Sequence, residues 1–217
     1  MKKAFAIIIA LVLFLLSSCS GGGSADAESR SIIEATRYEK MLSFEGGFMV
    51  SYIVRDLQNT EASCNGKINA RLSGDTVEFN HLVDYTNKTF SHTYYSNSPD
   101  DDNIYTLTEE GSTVSGGAKS AIGNLLKESL FGYELYKVVT TEISEDGTVY
   151  NLELYDPDTD ELAGKDILTV EKTDSGLKVT HAECRRFDGD EMILGESFTI
   201  DYYSNVKMDY TPKTQSK

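Results

Sequence analysis

Ala62-Ser63-Cys64-Asn65-Gly66-Lys67-Ile68-Asn69-Ala70-Arg71-Leu72 is the stretch that decides the fold. Side chains of a strand point alternately to its two faces. Here Ala62, Cys64, Gly66, Ile68, Ala70 and Leu72 share one face, and Ser63, Asn65, Lys67, Asn69 and Arg71 share the other. Such alternation belongs to an antiparallel strand with one side on a core and one in water. The same period runs outward in both directions. Upstream, Phe48, Val50, Tyr52 and Val54 share a face. Downstream, past a turn at Ser73-Gly74-Asp75, so do Val77, Phe79, His81, Val83 and Tyr85. Asn87-Lys88 then turns the chain into Thr89–Tyr95, and the four runs read as a meander.

Helical spacing appears in two places. Ile32, Ala35, Tyr38, Met41 and Leu42 recur within Ala25–Leu42, and Ala118, Ile122, Leu125, Leu126 and Leu130 within Ala118–Phe131. Between them come an acidic loop from Ser98 to Asn103, a short strand from Ile104 to Thr108, and a Gly/Ser-rich segment from Glu110 to Gly117. Strands resume at Tyr133–Ile143, Val149–Tyr155, Ile167–Lys172, Leu177–Phe187, Met192–Tyr203 and Val206–Tyr210. Asp174-Ser175-Gly176 and Asp188-Gly189-Asp190 are hairpin turns by composition. The expected fold is α+β: a strongly curved antiparallel sheet of about ten strands, with two helices covering its concave face. A sheet that large curls rather than staying flat.

The chain has 217 residues with a formal net charge of −15. Its first residues, Met1-Lys2-Lys3 and an uncharged run from Ala4 to Leu16, have the length and polarity of an export signal. That run is shorter than the roughly 20 residues a membrane-spanning helix needs. Leu16-Ser17-Ser18-Cys19 resembles the lipobox of bacterial lipoproteins. The resemblance implies diacylglycerol on the Cys19 thiol, cleavage after Ser18, and membrane attachment through the acyl chains. The expected place is the cell envelope: the outer side of the cytoplasmic membrane, or the outer membrane. Residues 1–18 are then the signal and 19–30 a lipidated cysteine with a Gly/Ser tether. Residues 31–212 form a single domain, and 213–217 a polar tail. Without its two-lysine leader the chain carries −17, which argues against nucleic acid, because phosphate contacts need Lys and Arg.

The order of elements from Ser31 to Pro212 resembles the LolA/LolB-like and LppX-like lipoprotein-carrier fold. Its best parts are the opening helix with long strands, the helix Ala118–Phe131, and the closing segment from Phe198 to Asp209-Tyr210-Thr211-Pro212. The resemblance implies an unclosed barrel that holds acyl chains under helical segments. The expected function is a membrane-anchored protein binding a lipid or other hydrophobic ligand, with Phe48, Val50, Tyr52, Ile68, Val77 and Phe79 lining the site. The alternative is an envelope interaction or sensor protein that works through strand edges and a Tyr-rich surface, with no cavity. The protein partner is left open.

Catalytic and metal chemistry find little footing, and neither catalytic residues, cofactor nor metal is expected. No Gly-x-Ser-x-Gly is present, and His81, His92 and His181 fall on separate strands. Asp156-Pro157-Asp158-Thr159-Asp160 opens like a calcium loop, but its sixth position is Glu161 and its twelfth Ile167, where such loops need Gly and Glu. Cys64 and Cys184 are a candidate disulfide in an exported chain. Against it, Cys184 alternates in phase with Lys178 and Arg186, which puts the two cysteines on opposite faces unless a bulge intervenes.

Overall fold

The structure is a computed structural model that describes residues 27–212. Eleven strands form one antiparallel sheet: β1 (Gly47–Asp56), β2 (Cys64–Ser73), β3 (Thr76–Tyr85), β4 (Phe90–Ser96), β5 (Asn103–Thr108), β6 (Gly111–Gly116), β7 (Lys137–Ile143), β8 (Val149–Tyr155), β9 (Leu162–Thr173), β10 (Gly176–Asp188) and β11 (Glu191–Tyr202). The order across the sheet is β6-β5-β4-β3-β2-β1-β11-β10-β9-β8-β7. Two meanders, β1–β6 and β7–β11, are thus joined at their first and last strands. Because β6 and β7 stay at opposite edges, the barrel is unclosed. Register shifts interrupt four places, at Val179/His181, Arg186/Phe187, Thr140/Glu142 and Leu154/Tyr155. Each local twist and bend of this kind helps a large sheet to curve.

Three helices line one face: α1 (Ala27–Ala35), α2 (Tyr38–Glu45) and α3 (Ala118–Leu125). The expected first helix is therefore two, broken at Thr36-Arg37, where the backbone leaves the helix to pair with the mid-chain segment. Arg37 bridges Ser129, and Tyr38 N–H and Glu39 N–H donate to Glu128 and Leu126 carbonyls at 3.1 Å each, while Leu130 N–H donates to Thr36 at 2.9 Å. These bonds stitch the N-terminal helices and residues 126–130 into one layer. The second helix stops at Leu125 rather than Phe131. Beyond it, Ser129 Oγ accepts from the Phe131 and Tyr133 amides at 3.1 and 3.3 Å, folding the chain into turns.

The inward face carries the core. Phe48, Val50, Tyr52 and Val54 of β1, Ile68 and Ala70 of β2, and Leu194, Phe198 and Ile200 of β11 are all buried there. Three further expectations need correcting. Glu110–Gly117 contains a regular strand, β6, because Thr113 and Ser115 keep the two-residue period that glycines at both ends obscure. Val206–Tyr210 is not a strand but a strap across the outer face. Val206 and Met208 are buried, and Asp209 accepts from Lys67 at 2.8 Å and Asn69 at 3.2 Å. Tyr210 N–H donates to Asn80 Oδ1 at 3.0 Å. That strap is why Asn69 and Asn80, outward by parity, are buried, whereas Leu72, inward by parity, lies 46% exposed at the strand end.

Candidate functional site

The six residues expected to line a ligand site come together. Phe48, Val50 and Tyr52 sit on β1, Ile68 on β2, and Val77 and Phe79 on β3, all on the inward face. None is more than 5% exposed. Helix α2 closes over them, with Tyr38 wedged between Phe48 and Phe79 at ring-centroid distances of 5.9 and 5.8 Å. Phe131 of the turn segment stands edge-on to Phe198 at 5.1 Å. The layer's side-chain bonds to the sheet lie at its margins: Lys40 Nζ donates to the Ser175 carbonyl at 2.6 Å, and Ser29 Oγ meets Thr140 Oγ1 at 2.9 Å. Aromatic and aliphatic packing holds the centre.

Polar chemistry enters at two places on this face. On β1 and β3, the Tyr52 hydroxyl lies 2.6 Å from His81 Nε2. Burial pushes the His81 imidazole down to about 4 and the Tyr52 phenol well above its usual value, so both are neutral at physiological pH. One proton lies between the two neutral groups, supplied by the phenol or by Nε2 according to the ring tautomer. His81 is thus a hydrogen-bonded inward histidine. His92 pairs with Asp84 and His181 with Glu183, and no group of three His, Cys, Asp or Glu is placed to hold a metal among the described residues.

The second place escaped sequence reading. Asp166, Cys184 and Glu196 are neighbours in one row across β9, β10 and β11. Arg186, two residues along β10 on the same face, pairs with Asp166 through both terminal guanidinium nitrogens and stands 3.9 Å from Glu196. Asp166 has a fully buried side chain, and those of Arg186 and Glu196 are 12% and 9% exposed. Burial, reinforced by Asp166, raises the Glu196 carboxyl, with Arg186 opposing. A signal for this cluster was present: Asp166 is in phase with Leu168 and Val170, and Glu196 with Leu194 and Phe198. Inward parity for a carboxylate demands a buried partner. Arg186 carried no such signal, because Thr180 is an extra residue in β10 and flips the phase of everything after it.

The same bulge corrects the reading of the cysteines. Cys64 and Cys184 are both free and both buried, and they share the inward face. They lie in one row, Cys64–Val54–Glu196–Cys184, in the order β2, β1, β11, β10. Three strand spacings of about 4.8 Å separate them, far beyond disulfide reach. In the Asp156 turn, Asp156 Oδ1 accepts from the Asp158 and Thr159 amides and Asp160 pairs with Lys137. The Asp156 carboxylate thus closes its own turn. Cys19 lies outside the described residues.

No protein-family model and no curated protein matches the chain. Among solved structures it is similar to a LolA superfamily protein from Nitrosomonas europaea, at 13% identity and a TM-score of 0.30, over 85% of this chain and 94% of that one. It is also similar to a putative outer membrane lipoprotein-sorting protein domain from Vibrio parahaemolyticus, at 11% identity and a TM-score of 0.32, over 86% and 93%. Scores this low transfer no residue role, and the unclosed barrel stands on the strand order of the chain itself.

Proposed function

We propose that this is a lipid-anchored envelope protein that takes an apolar chain between its curved sheet and its helical layer. One observation carries this: the inward face of β1–β3 is apolar but for the Tyr52–His81 pair, and its centre is covered by packing alone, with Tyr38 as the wedge. Apolar packing can be exchanged for an acyl chain without stranding a hydrogen bond. The bonds between residues 36–39 and 126–130 let the layer move as a body. Attachment is through Cys19 after cleavage at Ser18, with two acyl chains giving a lasting anchor. The site of residence is the outer side of the cytoplasmic membrane or the outer membrane, and no catalytic residue is assigned.

The test uses the chain from Ser20, which retains every described residue, 27–212. Native mass spectrometry of the purified protein, followed by titration with a fluorescent acyl probe, is expected to show one bound lipid. A chain that neither retains nor takes up any lipid overturns the carrier role. A second reading, an envelope protein acting through protein contacts, is favoured by the burial of all six expected lining residues and by the uncharged edge strand β6, whose six residues are all exposed. It expects that negative result.

A further inference from the structure

Below α3 the concave face is left half-exposed, and its chemistry changes there. His81, Thr93, Thr106 and Thr113 form one row across β3, β4, β5 and β6. Ser91 lies two residues from Thr93 on the same face. His81, Ser91, Thr93 and Thr106 are all half-buried. The hydroxyls of Ser91, Thr93 and Thr106 bond to no protein group among the described residues, and none of them is sealed away. Tyr52 occupies one ring nitrogen of His81 and leaves the other for an incoming group.

What is missing from this floor is as informative. No inward position from β2 to β6 is Asp, Glu, Lys or Arg, in a chain with 35 acids and 20 bases. A carboxylate or phosphate held here would lose its water and meet no cation from these strands. Glu128 of the helical layer acts on Tyr95 at the margin of the same region, and its charge further opposes anions. Hydroxyls, by contrast, donate and accept, and neighbours about 4.8 Å apart across strands let one small polyol engage two of them.

We propose that the His81–Thr93–Thr106 floor, with Ser91 beside it, binds an uncharged hydroxyl-bearing group, either a free sugar or the glycerol of a neutral lipid. Only where that group arrives on an acyl chain does this rest on the carrier role proposed above.

The experiment follows amide chemical shifts of the chain from Ser20 with three probes: monoolein, sodium oleate and maltose. Monoolein is expected to move the His81, Thr93 and Thr106 amides and to bind at least tenfold more tightly than oleate. Thr93→Val with Thr106→Val, which keeps the side-chain shape, is expected to weaken monoolein about tenfold with little change in Tm. Shifts with maltose at the same amides identify the free-sugar source, and shifts with monoolein alone identify the lipid-borne one. Oleate binding as tightly as monoolein, or monoolein indifferent to the double variant, overturns the inference and leaves the carrier role standing. Maltose shifts without any lipid binding support the inference and sink the carrier role. Silence with all three probes overturns both.

Discussion

Tyr52 reaches His81 by laying its ring across Gly66 of the strand between them. A Cβ built on Gly66 would stand 1.9 Å from Tyr52 Cζ. The glycine is therefore required by the ring, not by its own backbone. Gly66→Ala is expected to push Tyr52 off His81 and to cost about 1–3 kcal/mol, as overpacked cores do. Urea unfolding checks the cost, and the His81 ring resonances check the lost bond.

The same pair predicts a pH dependence. His81 titrates near 6.5 when unfolded and at about 4 when folded, because burial opposes its charged form. The folded state thus excludes a proton that the unfolded state accepts. Stability from this group is whole above pH 6.5 and is lost as pH falls toward 4. The loss amounts to about 3 kcal/mol across that window. His81→Gln, which cannot titrate, is expected to show a flatter stability profile from pH 7 to 4.5, measured by urea unfolding. Parallel profiles for the two proteins would contradict the burial of the imidazole.

The Asp166–Arg186 pair makes a different kind of prediction. Removing one partner of a buried pair leaves the other uncompensated, at about 3–5 kcal/mol. Arg186→Met is expected to cost that much, and the double change with Asp166→Leu to recover most of it, since apolar replacements of a whole pair are well tolerated. Glu196 goes the other way. Its carboxyl is raised, so its ionisation opposes folding as pH climbs through the carboxylate range. Glu196→Gln is expected to raise Tm at pH 8, and a lowered Tm would show Glu196 to be a needed partner of Arg186.

How much of this was legible depends on what interrupts the period. In β1, β2 and β3 no bulge occurs, and alternation placed Phe48, Val50, Tyr52, Ile68 and Phe79 on their true face. In β10 the extra residue at Thr180 reversed the phase, and with it the reading of Cys184 and the chance to see Arg186. The strap that buries Asn69 and Asn80 is a tertiary contact from some 130 residues away, and no local pattern announces it. The candidate site was half visible for the same reason: residue positions follow from parity, but the closing of α2 over them follows from packing.

Free thiols test the corrected row. Cys64 is pushed up to about 11 and Cys184 well above the usual thiol range, both by burial first. The chain from Ser20 is therefore expected to show no reactive thiol when native and two when unfolded in denaturant. Fewer than two in denaturant would mean that the cysteines had paired, and that the strands between them are not where this fold puts them.

Tyr38 offers the sharpest test of the carrier role, because it fills the space an acyl chain would take. Its ring contacts Phe48 and Phe79 and is 7% exposed. Tyr38→Ala removes the wedge and leaves a cavity lined by apolar side chains, at a cost of about 3–5 kcal/mol in the lipid-free protein. If the cavity is only a defect, lipid does nothing for it. If wedge and ligand compete for one place, the variant gains affinity, because ligand no longer has to displace the ring. Bound lipid then restores stability in proportion to its concentration over Kd, about 2.7 kcal/mol at a hundredfold excess. Thermal melts of wild type and Tyr38→Ala with and without acyl probe are expected to show a larger lipid-induced rise in the variant. An equal rise in both proteins would place the ligand elsewhere, and no rise in either would leave Tyr38 as core and nothing more.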